Sequence, residues 1–107
     1  MYKRQLDIKE DTFVAKKFEL FQNYPNPFNP ITTISYNLPN NVFATITVYD
    51  IKGNKVKTLV NTFQYSGNNS VTWNATNTFG ESVATGMYFY VIQTGAQNLS
   101  KKMLFIK

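Results

Sequence analysis

Thr32 to Asp50 reads TTISYNLPNNVFATITVYD. Ile34, Tyr36 and Leu38 alternate with Thr33, Ser35 and Asn37, and beyond Pro39-Asn40-Asn41 the period resumes with Ala44, Ile46 and Val48 against Thr45 and Thr47. A period of two means strands with one buried face, and Pro-Asn-Asn is turn chemistry. These nineteen residues therefore predict two β-strands, 32–38 and 42–50, each with one face toward a shared core.

The same signals continue toward the C-terminus. Asp50-Ile51-Lys52-Gly53 marks a hairpin return in which Gly53 takes a positive φ. A strand is expected over Val56–Val60, a turn over Ser66–Asn69, and then a strand with Val71 and Trp73 on one face, ended by Phe79-Gly80. Met87–Thr94 is the strongest β segment, with Tyr88, Tyr90 and Ile92 opposite Phe89 and Val91. Gly95–Asn98 turns the chain and Leu99–Ile106 closes it.

Toward the N-terminus, Leu20–Pro30 reads LFQNYPNPFNP and holds three of the four prolines. Pro25, Pro27 and Pro30 lack N–H donors, so this stretch is neither helix nor central strand. It is expected to be an extended, semi-rigid lead that lies against the folded body, with Tyr24 and Phe28 as its apolar anchors. With a short edge strand near Phe18–Phe21, about seven strands and no helix are expected. The fold class is all-β, an immunoglobulin-like sandwich of antiparallel strands with a Pro-rich N-terminal lead.

The chain has 107 residues, enough for one domain that buries roughly 70% of its unfolded surface. Residues 1–17 are charged, mixed in sign and without apolar period, as in a tail or linker remnant; the domain is expected to span 18–107. MYKRQLDIKE has the basic start of a signal peptide without an apolar stretch behind it, and no run is long enough to cross a membrane as a helix. The chain is thus expected either to stay inside the cell or to be part of a longer protein.

Composition narrows the chemistry. There is no cysteine or histidine, so disulfides and the usual soft metal ligands are missing, and six acids are too few and too scattered for a calcium cage. Asp50 and Glu81 are the only acids well inside the domain, and a turn cap and an exposed loop residue are their simplest roles. No catalytic, cofactor or metal residue is assigned. The net charge of +5 is spread along the chain, +2 of it on the first seventeen residues, without a basic stripe. Nucleic acid is therefore not an expected partner, and the Tyr88-Phe89-Tyr90 run reads as alternating core and surface before it reads as a stacking platform. Trp73, Tyr88, Tyr90, Ile46 and Val48 are the expected structural core. Three Asn-x-Ser/Thr sequons, at Asn68, Asn74 and Asn98, arise by chance in a chain this rich in Asn.

Taken together, QNYPNPFNPITTISYNLPNN (22–41), VYDIKGNKVKTLV (48–60), VTWN (71–74), FGESVATGMYFY (79–90) and KKMLFIK (101–107) resemble the C-terminal type A sorting domain of the type IX secretion system. The similarity covers about Phe18 to Lys107, and the proline-rich lead is its specific part. One departure bears on local turn geometry: Asn74-Ala75 follows Trp73 where the family commonly has Asp-Gly.

The resemblance implies an export address. A signal peptide far upstream would send a larger N-terminal cargo to the periplasm, and outer-membrane machinery would then read the C-terminal domain and often remove it. The cargo would end at the cell surface or outside the cell, with no stable membrane insertion of this domain. Candidates for recognition are Asn23, Tyr24, Pro25, Asn26, Pro27, Phe28, Asn29 and Pro30, with Lys101, Lys102 and Lys107 on the last strand. The strip has a second role open to it, sealing the end of the sandwich, and the two can coexist. The rival functions are an adhesive or structural module of the flagellar hook-cap kind, and a small binder of polysaccharide or nucleic acid that uses exposed tyrosines.

Overall fold

A computed structural model describes residues 17–95 and 97–107. The expected tail therefore lies, apart from Lys17, outside the described residues. Seven strands follow one another: β1 (Glu19–Leu20), β2 (Thr32–Leu38), β3 (Val42–Asp50), β4 (Lys55–Gln64), β5 (Gly67–Trp73), β6 (Gly86–Thr94) and β7 (Gln97–Phe105). They form a three-stranded sheet in the order β1-β2-β5 and a four-stranded sheet in the order β4-β3-β6-β7, every pairing antiparallel. The chain crosses between sheets after β2, β4 and β5. This is a β-sandwich, and no helix occurs among the described residues.

The alternating residues that mark the strands in sequence make the core. Ile34, Leu38, Ala44, Ile46, Val48, Tyr90 and Ile92 are fully buried, and Tyr36, Trp73, Phe28, Phe105 and Met103 nearly so. At the β3–β4 hairpin, the Asp50 carboxylate accepts the backbone N–H of Lys52 and of Asn54, each at 2.9 Å, while Gly53 takes φ +88°. That turn is the one read from sequence.

Three elements differ from expectation. β4 extends from Lys55 to Gln64 rather than over Val56–Val60, because the long β3 offers it ladder partners as far as Phe43 and Val42. Two register shifts in that pairing, at Ile46/Thr47 and Val48/Tyr49, break the clean alternation that would have marked the strand. Asn68 and Asn69 belong to β5, opposite Asn37 and Tyr36, instead of forming a turn; ladder bonds outweigh the local turn preference of Asn. β7 starts at Gln97 and ends at Phe105, and Ile106, expected to end the last strand, lies past its last inward position and is 45% exposed.

Candidate recognition surface at the proline-rich strip

The strip joins the two sheets along one open side of the sandwich. Its first part runs on the edge of β2: the Phe21 N–H donates to the Ser35 carbonyl at 3.0 Å, and Tyr24 and Thr33 exchange two backbone bonds of 2.9 Å. Its second part runs parallel to β7, where the Phe28 N–H donates to the Leu104 carbonyl and the Ile106 N–H to the Phe28 carbonyl, both at 3.0 Å. Between Phe21 and Tyr24 the strip has one residue more than β2, a bulge that turns Gln22 and Asn23 toward the other sheet. The Tyr24–Pro25, Asn26–Pro27 and Asn29–Pro30 peptides are cis.

Side chains fasten this path from both directions. The buried Tyr90 hydroxyl accepts the Asn23 N–H and donates to the Phe21 carbonyl, both at 2.8 Å, clipping the bulge to the centre of the four-stranded sheet. Asn23, only 2% exposed, donates its amide N–H groups to Thr32 Oγ1 at 2.9 Å and to the Pro25 carbonyl at 3.1 Å, and the Thr32 hydroxyl donates to that same carbonyl. Asn26 Oδ1 accepts the Leu104 N–H at 3.0 Å, and Gln22 Nε2 reaches the Lys102 carbonyl at 2.6 Å. The outward backbone groups of β7 from Lys102 to Ile106 thereby find partners, although their strand is the last in its sheet.

Phe28 is the apolar end of the fastening. It stacks on Phe105 at 5.2 Å between ring centres and meets Trp73 at 5.8 Å, and Trp73 meets Tyr88 edge-on at 5.3 Å. The Trp73 indole N–H donates to the Thr76 carbonyl, and the Tyr88 hydroxyl donates back to the Ala84 carbonyl four residues upstream, a tyrosine corner. Burial pushes the Tyr90 hydroxyl up to about 12, opposed in part by the bond from Asn23, and raises Tyr36 and Tyr88 as well.

The candidate residues thus divide by direction. Asn23, Asn26 and Phe28 are committed to holding the strip, whereas the side chains of Tyr24, Pro25, Pro27, Asn29 and Pro30 are exposed. Tyr24 is not the apolar anchor expected of it: it is 81% exposed, because its bridge to Thr33 aims it outward with Thr33 while the bulge gives the inward place to Asn23. Of the lysines, Lys102 and Lys107 are exposed and Lys101 is half-buried. Tyr88 and Tyr90 are buried, so the 88–90 run forms no stacking platform. Gln22 and Thr32 were missed from sequence, and Asn23 was read there as a recognition residue rather than a fastener, because the bonds they make depend on the bulge and on the distant Tyr90 and Lys102. Among the described residues no group of His, Cys, Asp and Glu side chains could hold a metal ion.

Ala75, the departure noted above, has φ +59° and is nearly buried, so an L-residue occupies a left-handed position that favours glycine.

Residues 22–107 match the family model described as "Secretion system C-terminal sorting domain". None of the curated proteins matches the chain. Among solved structures it is similar to dimeric latent PorU from Porphyromonas gingivalis, with 17% identity and a TM-score of 0.68 over 84% of this chain and 9% of that one. It is also similar to PorZ, an essential bacterial surface component of the type IX secretion system of the same organism, with 22% identity and a TM-score of 0.56 over 84% of this chain and 11% of that one. FlgD from P. aeruginosa shares 25% identity at a TM-score of 0.56, over 69% of this chain and 58% of that one. The chain therefore spans only about a tenth of PorU or PorZ.

Proposed function

Because the chain belongs to the family of secretion-system C-terminal sorting domains, we propose that the exposed side of its proline-rich strip, with the end of β7, is the surface by which it is sorted. As a member of that family it is a type IX sorting signal, part of a secreted or cell-surface protein whose cargo lies N-terminal to it. The family is not an enzymatic one, and no catalytic step is assigned to any residue here.

One observation carries the proposal: the strip is locked on both sheets while Tyr24, Pro25, Pro27, Asn29 and Pro30 point to solvent. A fixed, exposed backbone strip loses little conformational entropy when a partner binds. Lys102, on the strand that the strip covers, and Lys107, two residues past its end, add charge. In this reading the domain folds in the periplasm and is recognised, already folded, by machinery at the outer membrane. Nucleic acid has no part in it, since the lysines are scattered, and no helix among the described residues is long and apolar enough to cross a membrane.

The test is export of a fluorescent cargo fused to this chain in a bacterium that has the secretion system. Cargo with the chain should reach the cell surface or medium, and cargo without it should remain in the periplasm. Equal distribution of the two would refute the function.

The likeness to FlgD supports a second reading, a structural module retained on its parent. Mass spectrometry of the mature surface protein separates the two. Peptides from 22–107 should be missing if the domain is a removed address and present if it is structural.

A further inference from the structure

The outer face of the three-stranded sheet has a chemistry that the core does not use and that meets the proposed sorting surface only at Tyr24. The register places its outward residues in three rows: Glu19, Asn37 and Asn68; Phe21, Ser35 and Ser70; Tyr24, Thr33 and Thr72. The inward positions between them are Leu20, Ile34, Tyr36 and Val71, packed in or against the core. Hydroxyls and the Asn68 amide thus form an accessible double ladder along β2 and β5, bordered on the β1 side by two exposed aromatic rings; Asn37, in the first row, is only 8% exposed and is not part of it. Phe21 is 43% and Tyr24 81% exposed, and the two lie two β2 positions apart, roughly 7 Å. Phe21, Ser35, Asn68 and Ser70 also line a hollow of about 390 Å³.

From these features we infer that this face binds a neutral polysaccharide. The side chains of Thr33, Ser35, Asn68, Ser70 and Thr72 make no hydrogen bond to another described residue, whereas Asn23, Asn26, Asn54, Asn69 and Asn77 each fasten a turn or the strip. The free groups are hydroxyls and an amide, which donate and accept alike and so match a ligand made of hydroxyls.

Aromatic rings beside them offer an apolar surface to the C–H faces of sugar rings. Charge decides against an anionic ligand, because Glu19 is the only charged residue in β1, β2 or β5. A protein strand would add along the open edge of β5 rather than across this face, where β2 is central and its backbone groups are taken by neighbours on both sides, leaving side chains to make the bonds. The outer face of the four-stranded sheet differs, with Lys55, Lys102, Met87, Phe89 and Leu104 on its surface.

The experiment is affinity electrophoresis of the whole 107-residue chain through gels containing a neutral β-glucan, a mannan or a xylan, with alginate as anionic control. At least one neutral polymer should retard the chain, and equally between about 0.05 and 0.2 M salt. The Phe21→Ala/Tyr24→Ala variant and the Ser35→Ala/Ser70→Ala variant should each weaken retardation about tenfold, at unchanged far-ultraviolet circular dichroism. Migration unaffected by any neutral polymer, retardation by alginate alone that salt abolishes, or full retardation of both folded variants would each overturn the inference.

Discussion

At the scale of single residues, stability concentrates where the strip meets the core. Phe28→Ala empties a site shared with Phe105 and Trp73, and should destabilise by about 3–5 kcal/mol, a large part of the total stability of a domain of this kind. Denaturant titration measures this directly. Tyr90→Phe keeps the ring but leaves the buried Asn23 N–H without its acceptor, and should lose about 1–3 kcal/mol. Phe28 was visible in sequence as an aromatic within a proline-rich strip, but the exchange of inward position between Tyr24 and Asn23 was not, since it depends on a bulge that only pairing with β2 defines. At Ala75, glycine should be tolerated and valine should destabilise by about 1–3 kcal/mol, because a β-branched side chain fits poorly at φ +59°. Thermal melts of the two variants test the difference.

Alkali should act through the same clip. The folded-state value of Tyr90 stands near 12, above the ordinary value of about 10 that it takes in the unfolded chain. The unfolded state therefore loses this proton first as pH rises. The stabilisation is complete below about pH 10 and is lost progressively as pH rises toward the folded value. Tyr36 and Tyr88, also raised, act in the same direction. Melting temperatures of the wild type should fall steeply above that pH, and those of Tyr90→Phe less so.

At the scale of elements, the strip and β7 depend on each other. A chain beginning at Ile31 lacks Asn23, Asn26 and Phe28 and leaves the outer edge of β7 bare, so it should show no cooperative unfolding transition by circular dichroism. A chain beginning at Lys17 should melt within a few degrees of the full chain, in keeping with 18–107 as the proposed folding unit. Deleting Leu99–Lys107 would remove Met103 and Phe105 from the core, so loss of export after that deletion would report unfolding as much as lost recognition. Element type was legible wherever apolar residues alternate, as in β2, β3 and β6. It was illegible at the end of β4 and the start of β5, where polar residues pair on ladders that the fold supplies.

At the scale of the molecule, the seven strands follow from periodicity and most of the turn chemistry, whereas their grouping into three and four depends on which strand edges meet in space. The sorting role was legible because the proline-rich lead is a specific pattern, and the structure adds which of its residues fasten and which are left exposed. The most direct measurement is the exported fraction of a cargo fused to the Asn29→Ala/Lys102→Glu/Lys107→Glu variant, taken together with the variant's melting temperature. The three side chains are exposed and make no described hydrogen bond, so folding should be retained while export falls about tenfold. Export at the wild-type level by a variant that melts as the wild type does would contradict a surface read from the folded strip and terminal strand.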